Sequence, residues 1–389
     1  MKIYNFDLMA YPGVPTDAPG TPVPNSYFEP AVGMQNYQEH LEEMEYCEEL
    51  GFEGVVFNEH HYSGYGMMPS PNLIAAALSR KTSRIKIGVL GNVLPLRHHP
   101  VRVAEEYAML DCLTGGRLIA GFVRGIPAEY LWYHIDPNES RGRFEEAYEV
   151  IMTAWSQPVW SYHGKFFHLE NCALWPRPIQ QPHPPVWIAA RSSESIEWCV
   201  KQRKPVAQIY QTTSQIEDTF NYYRKVALDG DWEVGPEQFI LTRHIYVDET
   251  DEKARQLAEP ALRYFFSLLN RGFNQGSSQE ADARQQIKAA LYTDRSFSYF
   301  REGNRERIDF SKLSWEGLDE AGFVIAGNPD TVARKLNGQM GQVGADHFMG
   351  MFHIGNLSHR KVLASLDLFK NEVMPQLEHS ESGVTDHRP

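Results

Sequence analysis

Eight short β-rich runs, separated by stretches whose apolar residues recur at helical spacing, govern what this 389-residue chain can fold into. The runs cover residues 2–9, 54–58, 85–91, 118–124, 186–190, 206–211, 239–247 and 346–352. Alternation of this kind buries a parallel sheet beneath a layer of helices. Eight such units predict an α/β fold of the closed (β/α)8 TIM-barrel type rather than an open doubly wound sheet. The helical stretches carry their own punctuation. Tyr37, Leu41, Met44 and Leu50 fall on one face of a helix predicted over 35–50, with Gly51 where a left-handed residue would end it. Ser70-Pro71 and Asn328-Pro329 each set a capping side chain before a proline at the first helical position. Phe144, Tyr148, Ile151 and Trp155 face the core from a helix over 141–155.

The pattern predicts one barrel domain over 1–380 and a tail over 381–389. Two segments interrupt it. Residues 11–34, rich in Pro and Gly, read either as a lid or as an inert surface excursion. Residues 266–318 form a long insertion before the last βα unit, and Tyr292, Phe297, Tyr299 and Phe300 give it apolar groups suited to a mobile lid.

Charge narrows the partners. Lys+Arg number 37 against 50 Asp+Glu, a net charge of −13 that opposes binding to nucleic acid or to an anionic membrane surface. No apolar run approaches the ~20 residues of a membrane helix, and the N-terminus reads as a strand rather than a signal peptide, so a cytoplasmic protein is expected. Cys47, Cys112, Cys172 and Cys199 form no CxxC pair, which signals neither a disulfide framework nor a metal site. Four buried, reduced thiols are expected.

In such a barrel the chemistry sits just beyond the C-terminal ends of the strands. Asn58-Glu59-His60-His61-Tyr62 follows the second run. Neighbouring side chains of an extended chain point to opposite sides, so the two histidines cannot share one metal, while one of them can face the mouth as a general acid or base. A packing pair is the alternative. Gly91, at the end of the third run, suits close approach of a flat ligand. His98 and His99 read as turn residues before Pro100. Arg124 follows the fourth run, and Ser192, Ser193 and Ser195 open a helix after the fifth. Hydroxyls and free N–H groups at a helix start, beside an arginine, suit a phosphate, although Ser192 could equally serve only as a cap. No G-x-G-x-x-G or P-loop occurs, so no dinucleotide fingerprint is present.

Taken in order, these residues resemble the bacterial luciferase-like family of flavin-dependent monooxygenases. The likeness is carried by Glu59-His60-His61-Tyr62, His99-Pro100-Val101-Arg102 with Leu110-Asp111, Gly115-Gly116-Arg117-Leu118 leading into Gly121 through Gly125, Ser192 through Trp198, and Phe369 to Leu377. It implies a barrel that binds reduced FMN, adds O2 at flavin C4a and oxygenates a small organic substrate through the peroxyflavin. It implies His60 as the catalytic histidine, Arg124, Arg141, Ser192, Ser193 and Ser195 near the phosphate, and Tyr210 near the flavin ring. Leu90-Gly91 matches a site where the family often carries a cis peptide against the isoalloxazine, and Val123 stands beside the flavin where luciferase has a cysteine. Tyr210 replaces a tryptophan. The implied system has two components, with a separate NAD(P)H:flavin reductase supplying the reduced flavin, and the assembly is a homodimer or a heterodimer. An F420-dependent dehydrogenase of the same fold and a non-catalytic partner subunit are the competing readings.

Overall fold

A computed structural model describes residues 1–18, 23–62, 64–273 and 312–378. Eleven strands occur among them: β1 (Lys2–Asp7), β2 (Gly54–Phe57), β3 (Lys86–Val93), β4 (Leu118–Val123), β5 (Trp160–His163), β6 (His168–Cys172), β7 (Val186–Ala189), β8 (Val206–Gln208), β9 (Phe239–Val247), β10 (Val324–Gly327) and β11 (His347–Met351). Parallel pairing runs β1-β2-β3-β4-β7-β8-β9-β11 and returns to β1, closing an eight-stranded barrel. These eight coincide with the eight runs read from the sequence, β3 continuing to Val93. The helices between and after them are α1 (Pro30–Glu49), α2 (Pro71–Ser79), α3 (Pro100–Thr114), α4 (Pro127–Trp132), α5 (Ser140–Ser156), α6 (Ser193–Lys201), α7 (Thr213–Asp229), α8 (Asp251–Phe273), α9 (Trp315–Glu320), α10 (Pro329–Val343) and α11 (His359–Leu368). No helix among the described residues is long and apolar enough to cross a membrane.

Three strands lie outside the ring or were not expected from the sequence. β5 and β6 form an antiparallel hairpin between β4 and β7. β10 pairs with the last part of β9, from His244 to Val247, while β8 pairs with its first part, from Phe239 to Leu241. Since β11 occupies the other edge of β9, β10 takes over the edge that β8 leaves.

Tight backbone packing explains two glycines. The Leu90–Gly91 peptide bond is cis, and the β3–β4 register shifts between Val89 and Asn92. A Cβ on Gly91 would stand 2.5 Å from the carbonyl of Gly121, and one on Gly121 would stand 2.3 Å from the carbonyl oxygen of Val89. Neighbouring backbone therefore requires glycine at Gly91.

Other local expectations need correction. The buried face of α1 is Gly33, Asn36, His40, Glu43, Met44 and Cys47, whereas Tyr37 and Leu41 are only half-buried. Hydrophobic periodicity could not find a face built around buried ionisable groups. Gly51 does adopt the left-handed conformation, at φ 78°. Asn328 caps α10 by accepting from the Thr331 N–H at 2.9 Å, but the Ser70 side chain makes no capping bond to α2. His99 caps α3, its ring nitrogen accepting from the Val101 N–H at 3.3 Å. Only Cys47 and Cys199 are buried; Cys112 is exposed because it sits on the outer face of α3, its Sγ meeting the Arg177 carbonyl.

The expected lid over 266–318 begins instead as core, with Phe266, Leu268 and Leu269 buried on α8. It ends at α9, where Trp315 and Leu318 are also buried. Residues 274–311, with Tyr292, Phe297, Tyr299 and Phe300, lie outside the described residues, as do the whole tail over 381–389 and residues 19–22 of the first excursion.

Candidate active site

A cavity of about 340 Å3 opens at the C-terminal ends of the barrel strands. Parallel alignment of the strands makes this the convergence point for residues far apart in sequence. His60, Leu90, Gly91, Val123, Arg124, Ser192, Ser195 and Tyr210 all line it. Ser193 and Arg141 do not. Arg141 borders an adjoining niche with Arg124 and Ser195, its Nη2 held 2.6 Å from a Glu194 carboxylate oxygen. Ser193 is buried in the first turn of α6.

His60 reaches the cavity because β2 ends at Phe57 and releases the chain across the barrel mouth. Its side chain is 14% exposed, and Nδ1 lies 3.2 Å from Glu129 Oε1. Glu129 is fully buried, and its other oxygen accepts the Ile126 N–H at 3.0 Å. At the far side of the imidazole, the Tyr65 hydroxyl meets Nε2. Burial, reinforced by the Glu129 charge, holds the Tyr65 phenol well above its ordinary value. Tyr65 therefore donates to Nε2 and Nδ1–H donates to Glu129, so one tautomer satisfies both contacts.

The second histidine goes elsewhere. His61 Nε2 lies 2.9 Å from Glu59 Oε1 and its Nδ1 lies 3.0 Å from the Tyr133 hydroxyl. Arg97 pairs with the other Glu59 oxygen. Opposite side-chain directions thus give each imidazole its own carboxylate. The carboxylate beside His60 is Glu129, not its sequence neighbour Glu59.

The α6 end gathers hydroxyls at the cavity. Ser192 caps the helix, accepting the Ser195 N–H at 3.3 Å, and its hydroxyl donates to Ser195 Oγ at 2.9 Å. Capping and cavity lining are therefore compatible in one residue. Arg124 lines the same cavity, so a cation, two hydroxyls and a positive helix end converge there.

The remaining walls are mainly apolar, with Phe6, Leu8, Ile209 and Met349 among them. Two polar atoms on this wall, Asn58 Oδ1 and Thr242 Oγ1, are buried and lack a hydrogen-bond partner among the described residues. Unpaired buried acceptors are costly, which makes them natural contacts for a bound molecule. Tyr210, held with its phenol well above the ordinary value by burial and then by Tyr65, completes the aromatic side. Behind it His244 meets Phe265 edge to face, with ring centroids 5.0 Å apart. Burial, then the neighbouring Arg243, lowers the His244 pKa to about 3, so this imidazole is neutral. Sequence reasoning missed Tyr65, Glu129, Asn58 and Thr242. Asn58 adjoins the histidine motif, and Tyr65 lies five residues past His60, but Glu129 is 69 residues away and carries no local signal.

The family model described as "Luciferase-like monooxygenase" matches residues 14–347. The oxygenase component of flavin-dependent trigonelline monooxygenase from Acinetobacter baylyi is 25% identical over 352 residues, 89% of this chain and 91% of that protein. Among solved structures, the oxygenating constituent of 3,6-diketocamphane monooxygenase from Pseudomonas putida, in complex with FMN, superposes with a TM-score of 0.71 at 16% identity, over 98% of this chain and 99% of that one. An F420-dependent secondary alcohol dehydrogenase superposes with a TM-score of 0.66 at 16% identity, over 97% and 99% of the two chains.

Proposed function

This chain belongs to the luciferase-like monooxygenase family, and from that premise we propose that it is the oxygenase half of a two-component system. In this reading it takes reduced FMN from a separate NAD(P)H-dependent reductase and uses O2 to oxygenate a small organic substrate, working as a homodimer or a heterodimer. The Acinetobacter relative, named as an oxygenase component, supports a separate reductase.

The observation that carries the reading is one cavity lined at once by Arg124, Ser192 and Ser195 and by His60 with its two partners. The donor set fits a flavin mononucleotide. Arg124 and the serine hydroxyls would hold the phosphate, with Arg141 and Ser193 supporting that end from behind. Leu90, Gly91, Val123 and Tyr210 would flank the ring, and the unpartnered Asn58 Oδ1 and Thr242 Oγ1 would receive polar groups of flavin or substrate. Reduced flavin, when bound, supplies the electrons that activate O2.

The chain's own part is proton handling and exclusion of water. His60 takes up a proton at Nε2 when Tyr65 gives way, and Glu129 stabilises the imidazolium so formed. Return of that proton makes the same ring the general acid. The apolar walls keep water from the reacting atoms.

The test is anaerobic mixing of the protein with photoreduced FMN, followed by O2 and a panel of organic substrates. Substrate-dependent oxygenated product, at the expense of H2O2, is expected, and NAD(P)H alone should leave bound FMN oxidised. Rapid reduction by NAD(P)H would overturn the two-component reading. Tight F420 binding without reaction toward O2 would move the chain to the dehydrogenase branch, and failure to bind any flavin would make it a partner subunit.

A further inference from the structure

Far along the chain from His60, the β5–β6 hairpin gathers three metal-ligating side chains on its solvent face. His163 and His168 are direct cross-strand partners, and Glu170 follows two residues on, on the same face. The two Nδ1 atoms lie 3.2 Å apart. That contact joins the nitrogens turned away from Glu170 and sets the two rings against each other, tilted by 57° at 4.4 Å rather than stacked. The nitrogens that face the carboxylate are the two Nε2 atoms: Glu170 Oε1 stands 3.5 Å from each, close to the about 2.9–3.4 Å between donors sharing one ion at ~2.0–2.1 Å, and one ligand atom from each of the three side chains lies within 4.8 Å of the others.

The hairpin is also held rigidly. The Glu146 carboxylate on α5 accepts the N–H groups of Lys165 and Phe166 at 2.8 Å and that of Phe167 at 3.3 Å. Tyr162 donates to Glu149 at 2.9 Å, and Arg143 and Lys165 both lie over the Phe166 ring. Pinning the turn from α5 fixes the β5–β6 register, and with it the spacing of the two histidines.

A second cluster makes an instructive contrast. His40, Glu43 and His353 also bring potential ligand atoms within 4.8 Å of one another. There the His40 and His353 rings are stacked 4.0 Å apart at 17°, so their in-plane lone pairs run side by side. His40 is further committed to Asp7 at 2.7 Å and His353 to Glu43 at 2.8 Å. That cluster is a buried ion-pair network rather than a chelating site.

We propose that His163, His168 and Glu170 bind one divalent transition-metal ion of the zinc class, with water completing the coordination. Two imidazoles and one carboxylate favour Zn2+, Ni2+ or Cu2+ over Mg2+ or Ca2+, whose preferred ligands are oxygens. The proposal does not depend on the flavin reading, since none of the three residues lines the cavity and its test needs no turnover.

The test is calorimetric titration of the full chain, free of any affinity tag, with ZnCl2 in a non-chelating buffer. One equivalent should bind saturably, excess Mg2+ should not displace it, and Co2+ should give a visible ligand-field spectrum. His163→Ala and His168→Ala should each weaken binding at least tenfold, and Glu170→Gln should weaken it less. All three sites are 55–68% exposed, so far-UV circular dichroism should be unchanged. Binding that survives both histidine substitutions, or that disappears only with His353→Asn, would overturn the assignment, as would the absence of saturable binding.

Discussion

His60 Nδ1 and Glu129 Oε1 lie 3.2 Å apart, joining the chain just past β2 to the chain just past β4. The adjacent His61 uses a different carboxylate, Glu59. Two neighbouring imidazoles are thus separable by mutation, one belonging to the cavity and the other to the framework around Arg97 and Tyr133.

Substituting His60→Ala should lower turnover at least ~100-fold, the scale of a lost general acid–base, while flavin affinity and fold persist. Glu129→Gln should also slow turnover, because the imidazolium loses its counter-charge. His61→Ala should cost more in melting temperature than in rate. Steady-state kinetics at saturating reduced FMN, paired with thermal melts, separate these outcomes; full activity in His60→Ala would remove the histidine from the chemistry.

Arg124→Ala should weaken FMN by roughly 1.5–3 kcal/mol, the worth of a hydrogen bond to a charged group. Riboflavin has no phosphate and should be affected little. Fluorescence titration with both flavins measures the difference, and equal weakening would show that Arg124 does not contact the phosphate.

Gly91→Ala should destabilise the barrel by about 1–3 kcal/mol or more, since the new methyl meets β4 backbone that cannot move aside as a side chain could. Urea denaturation of the flavin-free protein checks this. An unchanged midpoint would mean that β3 and β4 can part at this point.

Stability should peak in mildly acidic solution because of the network around α1. Burial would raise the Glu43 pKa, but His353 and His359 outweigh it and hold this carboxyl at about 2. Burial would lower the His353 pKa, but Glu43 outweighs it and raises it, with Asp7 and Glu39 adding to the effect. A lowered carboxyl stabilises the fold above its ordinary value near ~4.5 and stops doing so as pH falls toward 2. A raised histidine stabilises below its ordinary ~6.5 and stops doing so as pH climbs through the raised value. Both contributions are complete between those two ordinary values. Melting temperature against pH should therefore have its maximum there, and His353→Gln should flatten the alkaline limb. An unchanged alkaline limb in that variant would assign it to other groups.

The barrel was legible in the sequence because its strands are buried runs bounded by turns, and a run such as 239–247 admits little else. β10 was not, because four residues ending in Gly327 look like a turn until β9 offers them an edge. The hairpin was missed for a related reason: β5 and β6 are mostly exposed, so burial imposes no apolar alternation on His168–Cys172. At the site, His60, Arg124 and Ser192 could be found because each follows a strand directly. Glu129 could not, since its place beside His60 comes from ring closure and not from any local pattern. The α1 network hid for the opposite reason, with His40 and Glu43 occupying positions where periodicity looks for hydrocarbon.

The shared edge of β9 has a consequence for how such a chain can vary. Every rung that closes the ring uses β8 or β11, and on the β8 edge those rungs stop at Leu241. The rungs to β10 begin at His244 and lie outside the ring's circumference. β10 can therefore be remade without shifting the register of any stave of the barrel. The closed ring and the strand laid on its rim are separate in register, which leaves evolution free to rewrite one while the other stands.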